Sequence, residues 1–157
     1  MSTVPVASRD VAVDTTYSPM TSPPPFRILV VDDSPDQLAI IAAALEAPDH
    51  DILVATSGIS ALRIAQQTPP DLVLLDVRMP DIDGYETCRR LRRLPALDEV
   101  PVVFVSGLDH PDDRATAFTA GGSDYLLKPY THEELVGRVR THLITARLRR
   151  ELAARAG

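Results

Sequence analysis

Four apolar runs in this chain end on a residue able to handle charge. Asp32 and Asp33 follow residues 26–31, Asp76 follows 72–75, Ser106 follows 102–105 and Lys128 follows 125–127. Carboxylates drawn within a few ångströms of one another repel, and the repulsion is relieved by protonating one or by binding a cation. A few oxygen ligands suit Mg²⁺, which keeps several waters and leaves positions open for phosphate oxygens. Lys128 points the same way. Of the 16 basic side chains 15 are arginine, so the single lysine stands at a run end shared with the acids. A compact ammonium is the point charge that suits a phosphoryl oxygen, where the broad guanidinium fork fits less well. Pro129 directly after it allows a cis peptide that would aim the side chain. Taken singly, each aspartate reads as a turn or helix cap and Ser106 as the end of a strand. Together they make a set for holding a divalent metal and a phosphate.

Those residues meet only if the runs lie side by side, and the rest of the sequence provides for that. Ser34-Pro35 starts a helix, with a capping hydroxyl and a proline at the first position. The helix is predicted over residues 35–47, with Leu38, Ile41 or Ala42, and Leu45 on one face. A strand at 51–55 precedes a helix capped by Ser57 or Ser60, with Ala61, Leu62, Ile64 and Ala65 inward, which Pro69 and Pro70 end. Residues 72–75 read as a central parallel strand buried on both faces. A loop at 77–84 and a helix at 85–93 lead through Pro95 to the strand at 102–105. Asp109, Pro111 and Asp112 open another helix, stopped by Gly121 and Gly122. After the strand at 125–127, Thr131 and Glu134 are spaced as a capping box for the last helix. Five strand–helix units in series predict an α/β fold, a parallel sheet with right-handed crossovers and helices on both faces. Ligands of such sheets bind beyond the carboxyl ends of the strands, where all the singled-out residues fall.

At 157 residues the chain suits one domain. Its net charge of −6 disfavours direct nucleic-acid binding. Acidity is concentrated in residues 26–131, with 9 basic against 17 acidic side chains, whereas residues 132–157 carry 6 against 3. A lone cysteine, Cys88, excludes an internal disulfide and suits a reducing cytoplasm. No run approaches the ~18 apolar residues that span a bilayer, so the chain is expected to be cytoplasmic and free of membrane contact. Residues 1–25 hold five of the fourteen prolines and no apolar periodicity, and are expected to be a disordered extension. His50, His110, His132 and His142 lack metal spacing and receive no role. Arg89, Arg90, Arg92 and Arg93 read as a solvated face, with a kinase-docking patch as the minority view.

The stretches Val30-Val31-Asp32-Asp33-Ser34, Leu74-Leu75-Asp76-Val77-Arg78-Met79-Pro80-Asp81-Ile82-Asp83-Gly84, Val105-Ser106 and Tyr125-Leu126-Leu127-Lys128-Pro129 resemble the receiver domains of two-component response regulators. The resemblance covers residues 26 to about 143 and gives a domain at 26–145 followed by a helical extension at 146–157. It implies the flavodoxin-like (βα)5 doubly wound sheet with strand order 2-1-3-4-5 and an extended C-terminal helix. It also implies that Asp76 accepts a phosphoryl group from a phosphohistidine of a sensor histidine kinase or histidine phosphotransfer protein. Mg²⁺ would be bound by Asp33, Asp76 and the backbone carbonyl of Arg78, with Asp32 acting mainly through water, and Lys128 would offset charge on the transferring oxygens. Ser106 would then donate its hydroxyl to the phosphoryl group and Tyr125 would turn inward, altering the face made by the fourth helix, fifth strand and fifth helix. Such a domain assists its own modification and turns over no independent substrate. Arg78 and Leu108, each two residues beyond a site residue, are expected to slow loss of the phosphate.

Two other readings share parts of this pattern. A pseudo-receiver acting as a binding or dimerisation module would have lost the acceptor Asp or the Lys, and both are present. A Mg²⁺-dependent phosphatase starting from a strand-end Asp would carry a second Asp two residues on, where this chain has Arg78. Neither a phosphate-cradling glycine loop nor a G-x-S-x-G elbow occurs. The last helix continues through Ile144, Leu148 and Leu152 with Arg147, Arg149 and Arg150 outside. It reads as a solvated basic tail, as a helix that joins two copies, or, since it resembles the signalling helix that links receivers to output domains, as the lead into a longer protein; the second route to a homodimer is the switching face.

Overall fold

Side chains alternate across each strand, and here both alternating sets are apolar, so the sheet must be covered on its two faces. The computed structural model describes residues 24–156. In it β1 (Phe26–Val31), α1 (Pro35–Leu45), β2 (His50–Ala55), α2 (Gly58–Gln67), β3 (Leu72–Asp76), α3 (Gly84–Arg92), β4 (Val102–Ser106), α4 (Pro111–Thr119), β5 (Asp124–Leu127) and α5 (His132–Ala156) follow in turn. A 3-10 turn, Pro95–Leu97, lies between α3 and β4. All strand pairs are parallel in the order β2-β1-β3-β4-β5, as the resemblance implies. Of the extension expected at residues 1–25, residues 1–23 lie outside the described residues.

One face of the sheet presents Leu29, Val31, Val73, Leu75, Val102, Phe104 and Tyr125, which pack with Ala61, Ala65, Cys88, Leu91 and Ala117 of α2, α3 and α4 and with Ala120 just past α4. The other presents Ile28, Val30, Leu72, Leu74, Val103, Val105 and Leu126 to Leu38, Ile41 and Leu45 of α1 and Leu135, Val139, Leu143 and Ala146 of α5. Burying one such aliphatic side chain contributes roughly 1.5–3 kcal/mol, so β1, β3 and β4 are the rigid base of the molecule. Their carboxyl ends are thereby fixed relative to one another.

Several boundaries differ from the sequence expectations for identifiable reasons. Helix α1 stops at Leu45 because Pro48 disfavours helical geometry just before it, and the His50 ring takes the Leu45 carbonyl at 2.7 Å. Its inward face uses Ile41 and leaves Ala42 half-buried. Ser57, rather than Ser60, caps α2, accepting from the Ser60 amide at 3.0 Å. Helix α4 is capped by His110, whose Nδ1 accepts from the Asp112 amide while the Asp113 carboxylate accepts from the His110 amide. Histidine is an uncommon cap, which is why the sequence points to its acidic neighbours first. The expected capping box of α5 is present, with the Glu134 amide on Thr131 Oγ1 at 3.0 Å and the Thr131 amide on Glu134 Oε1 at 2.8 Å.

Of the arginines read as a solvated face one departs from that reading, and the arginines late in α5 make specific contacts. Arg89 and Arg90 do lie outside, paired with Glu86, but Arg92 turns to the amino-terminal edge of the sheet. Its guanidinium donates to the carbonyls of Gly121, Leu97 and Val100 at 2.6 to 3.0 Å, joining the connections on either side of β4. At the same edge α5 is held down. The Arg147 and Arg150 guanidinium groups lie 4.8 and 4.7 Å from the centre of the Phe26 ring, Arg150 pairs with Asp71 at 2.6 Å, and Arg149 engages Glu99. Cation–π and ionic contacts together fix the helix through Arg150, while Ile144, Leu148 and Leu152 stay exposed.

Arg92 donates to three connecting-segment carbonyls at once, so Arg92→Ala should lower unfolding free energy by roughly 2–3 kcal/mol in denaturant titration. Arg89→Ala, which removes only an exposed pair, should leave the midpoint almost unchanged.

Candidate functional site

The registers of the parallel strands bring the polar residues to one edge. Asp76 is level with Val105 and Ser106 with Leu127, so Ser106 and Lys128 each lie one step past their neighbour's last paired residue. The Lys128 amide donates to the Ser106 carbonyl at 2.8 Å, and the Asp32 amide to the Ala55 carbonyl at 3.1 Å, which extends the ladder into the site. Each polar group is therefore the natural end of a strand whose body is locked in the core.

Asp32, Asp33 and Asp76 each offer a carboxylate oxygen, and these atoms lie within 4.8 Å of one another. The Lys128 ammonium stands opposite, 3.8 Å from Asp76 Oδ1 and 3.9 Å from Asp32 Oδ2. Asp32 is only 4% exposed, and its Oδ1 accepts from the Ser34 amide at 2.9 Å. Asp33 is exposed and Asp76 half-buried. The peptide bond between Lys128 and Pro129 is cis.

Burial raises the Asp76 carboxyl above the usual range, Lys128 partly counters this, and the charges of Asp32 and Asp33 add to the rise. An amide of the chain helps to hold the anion, since Val77 N–H donates to Asp76 Oδ1 at 2.9 Å. The set fits a hard divalent cation on the chemistry of its donors: three carboxylates, crowded, one already strained toward protonation, with solvent on the Asp33 side. Gly84 makes this approach possible. A Cβ there would lie 2.2 Å from the Asp76 carbonyl oxygen, so only glycine lets the start of α3 rest against the end of β3.

Ser106 is 2% exposed, and its hydroxyl accepts from the Leu108 amide at 3.0 Å. Tyr125 is inward, 3% exposed, with its hydroxyl donating to the Leu108 carbonyl at 2.7 Å. Leu108 is thus tied at its amide to one expected switch residue and at its carbonyl to the other. Arg114 lies over the Tyr125 ring at 5.3 Å, and Tyr85 and Phe104 continue the aromatic group, with Tyr85 donating to the Asp113 carbonyl at 3.2 Å. Burial, with Tyr125 and Asp113 nearby, pushes the Tyr85 hydroxyl up to about 12, so it acts as a neutral donor. Tyr85 and Arg114 were invisible as partners in the sequence, because no local spacing relates α3 and α4 to β5. Arg78 lies exposed on the loop after Asp76.

Other residues bear on structure rather than on this site. His142 Nε2 meets Asp124 Oδ2 at 3.0 Å and Arg138 Nη1 meets Asp124 Oδ1 at 2.9 Å, docking α5 on the start of β5. The Cys88 thiol is buried, which pushes it up to about 11 and keeps it an inert core group. Among the described residues no helix is long and apolar enough to cross a membrane.

A family model described as the response regulator receiver domain matches residues 28–140. A Vibrio cholerae protein named a probable cyclic di-GMP phosphodiesterase is 43% identical over 116 residues, 74% of this chain and 26% of that protein. The DNA-binding dual master transcriptional regulator RpaA of Synechocystis is 38% identical over 117 residues, 74% of this chain and 48% of that protein. The receiver domain of a Francisella response regulator superposes with a TM-score of 0.68 at 30% identity, covering 74% of this chain and 94% of that one. The chain thus spans 26% and 48% of the lengths of these two curated relatives.

The raised carboxyl has a consequence for stability. A folded state that holds the Asp76 proton more tightly than the unfolded chain loses stability as pH rises through the carboxylate range, and at neutral pH bears the whole cost. Without divalent metal at pH 7, Asp76→Asn should therefore melt a few degrees above the parent by calorimetry. The difference should vanish as pH falls below the ordinary aspartate range.

Proposed function

This chain belongs to the response regulator receiver domain family of two-component signalling, and from that premise we propose that Asp76 accepts a phosphoryl group with the help of Mg²⁺. The observation that carries the reading is the carboxylate oxygens of three strand-end aspartates within 4.8 Å of one another, with the ammonium of the only lysine facing two of them. The metal would be held by Asp33, Asp76 and the backbone carbonyl of Arg78, with Asp32 acting through water. When bound, it would relieve the carboxylate repulsion and offset charge on phosphoryl oxygens.

In the proposed reaction an Asp76 carboxylate oxygen attacks the phosphorus of a phosphohistidine. The new O–P bond forms as the P–N bond breaks, and the imidazole leaves with the electron pair. Lys128 supplies a fixed positive charge to the transferring oxygens, so the chain contributes positioning and electrostatics more than covalent chemistry. The donor is a sensor histidine kinase or a histidine phosphotransfer protein.

The added charge, roughly −1.5 to −2, creates acceptors for nearby donors. The Ser106 hydroxyl, which accepts from the Leu108 amide, would donate its own proton to the phosphoryl group, which pulls on the loop that also receives the Tyr125 hydroxyl. The signalling surface is then α4, β5 and α5. Exposed Ile144, Leu148 and Leu152 on one side of α5 support a homodimer as a second contact. Leu108 shields the site from water and Arg78 reaches toward the phosphoryl oxygens, which lengthens the life of the modified state.

Incubation with acetyl phosphate and Mg²⁺, followed by intact mass measurement, should add one phosphoryl group to the parent and none to Asp76→Asn. Lys128→Ala should slow the gain by roughly 10²-fold. A parent that gains nothing, or an Asp76→Asn chain that still does, would defeat the proposal.

A further inference from the structure

The segment at residues 77–83 must present the Arg78 carbonyl beside the carboxylates, yet it belongs to no regular element. Its ends are clasped together, because the Gly84 amide donates to the Val77 carbonyl at 2.7 Å. Between them it is tied to a different helix. Asp81 reaches the first turn of α2, where its Oδ1 accepts from the Gly58 amide at 3.2 Å and its Oδ2 from the Ile59 amide at 2.8 Å. The first amides of a helix have no partner within it, and a carboxylate there also meets the positive end of the helix dipole. The helix has its own cap in Ser57, which takes the Ser60 amide. Asp81 therefore serves the two amides that Ser57 leaves free.

The approach of α2 to this segment is built into the packing. A Cβ on Gly58 would lie 2.3 Å from Thr87 Oγ1 and 2.6 Å from Ile82 Cγ1, so a bare glycine is needed where α2 meets the segment and α3. The Thr87 hydroxyl is itself engaged, donating to the Asp83 carbonyl at 2.8 Å. Desolvation raises the Asp81 carboxyl, but the amides of Ile59, Ile82 and Gly58 together outweigh it and hold the group below the usual range.

We propose that Asp81 is a positioning residue for the Mg²⁺ site: by fastening residues 77–83 to the first turn of α2, it fixes the span that carries Arg78. Ser57 stabilises the same helix but not that span, and this separates the two roles. The inference rests on the Mg²⁺ reading above.

Calorimetric titration of the full, unmodified chain with Mg²⁺ tests it without recourse to phosphorylation. Asp81→Ala should weaken Mg²⁺ binding about 10-fold, as loss of a supporting group around a metal site commonly does. Asp81→Asn, which keeps one acceptor oxygen, should fall between it and the parent, and it carries the test if Asp81→Ala does not fold. Ser57→Ala should bind Mg²⁺ as the parent does, although it also loses a cap of α2. The idea is overturned if the parent binds Mg²⁺ and Asp81→Ala matches it within twofold, or if Ser57→Ala is weakened as much as Asp81→Ala. A parent that binds no Mg²⁺ removes the metal reading itself, and this inference with it.

Discussion

Mutual repulsion among Asp32, Asp33 and Asp76 is the constraint around which the rest of the molecule is arranged. Three carboxylates placed together lower stability unless something compensates, and Lys128 offsets part of the cost at Asp76, whose carboxyl is still held above its usual range by burial first and then by the charges of Asp32 and Asp33. The fold nevertheless keeps the groups in place, because each aspartate continues a strand buried on both faces. Moving the backbone that carries a carboxylate would mean breaking ladder hydrogen bonds and exposing aliphatic side chains. The result is a site that gains from taking up positive charge, on a scaffold too stiff to relax in any other way.

The two edges of the sheet divide the work. At the carboxyl edge the groups are polar, close and imperfectly compensated, with the Ser106, Leu108 and Tyr125 contacts leading away toward α4. At the amino edge Arg92 and the Arg147, Arg149 and Arg150 group satisfy carbonyls, carboxylates and an aromatic ring. One edge is poised to change and the other is fastened. Helix α5 runs between them, starting beside Pro129 and ending past Phe26, so it touches both regimes.

Much of this was legible in the sequence, for reasons that are local. Apolar runs ending in Asp76, Ser106 and Lys128 announced parallel strands and their functional ends together, because strand period and burial are written in consecutive residues. The caps Ser34 and Thr131 were legible for the same reason, and Ser57 as one of two candidates. What escaped notice depends on contacts between distant segments. Arg92 looks like its neighbours Arg89 and Arg90 until Gly121, about thirty positions later in the chain, supplies the carbonyl it holds. Asp81 sits in a stretch read as a family motif, and nothing in its neighbours reveals that its partners are Gly58 and Ile59. His142 was set aside for want of metal spacing, whereas its role is to meet Asp124 across the α5–β5 contact.

The near-total use of arginine has a practical corollary. Since Lys128 is the only lysine in 157 residues, its amine is the only side-chain primary amine that an acylating reagent can find. It is 32% exposed, open enough to be reached, and its nitrogen faces Asp32 and Asp76. Apart from the chain's own amino terminus, amine-directed chemistry on this protein is therefore a single-site probe of the charged cluster, and its rate reports how tightly that nitrogen is engaged at a given moment.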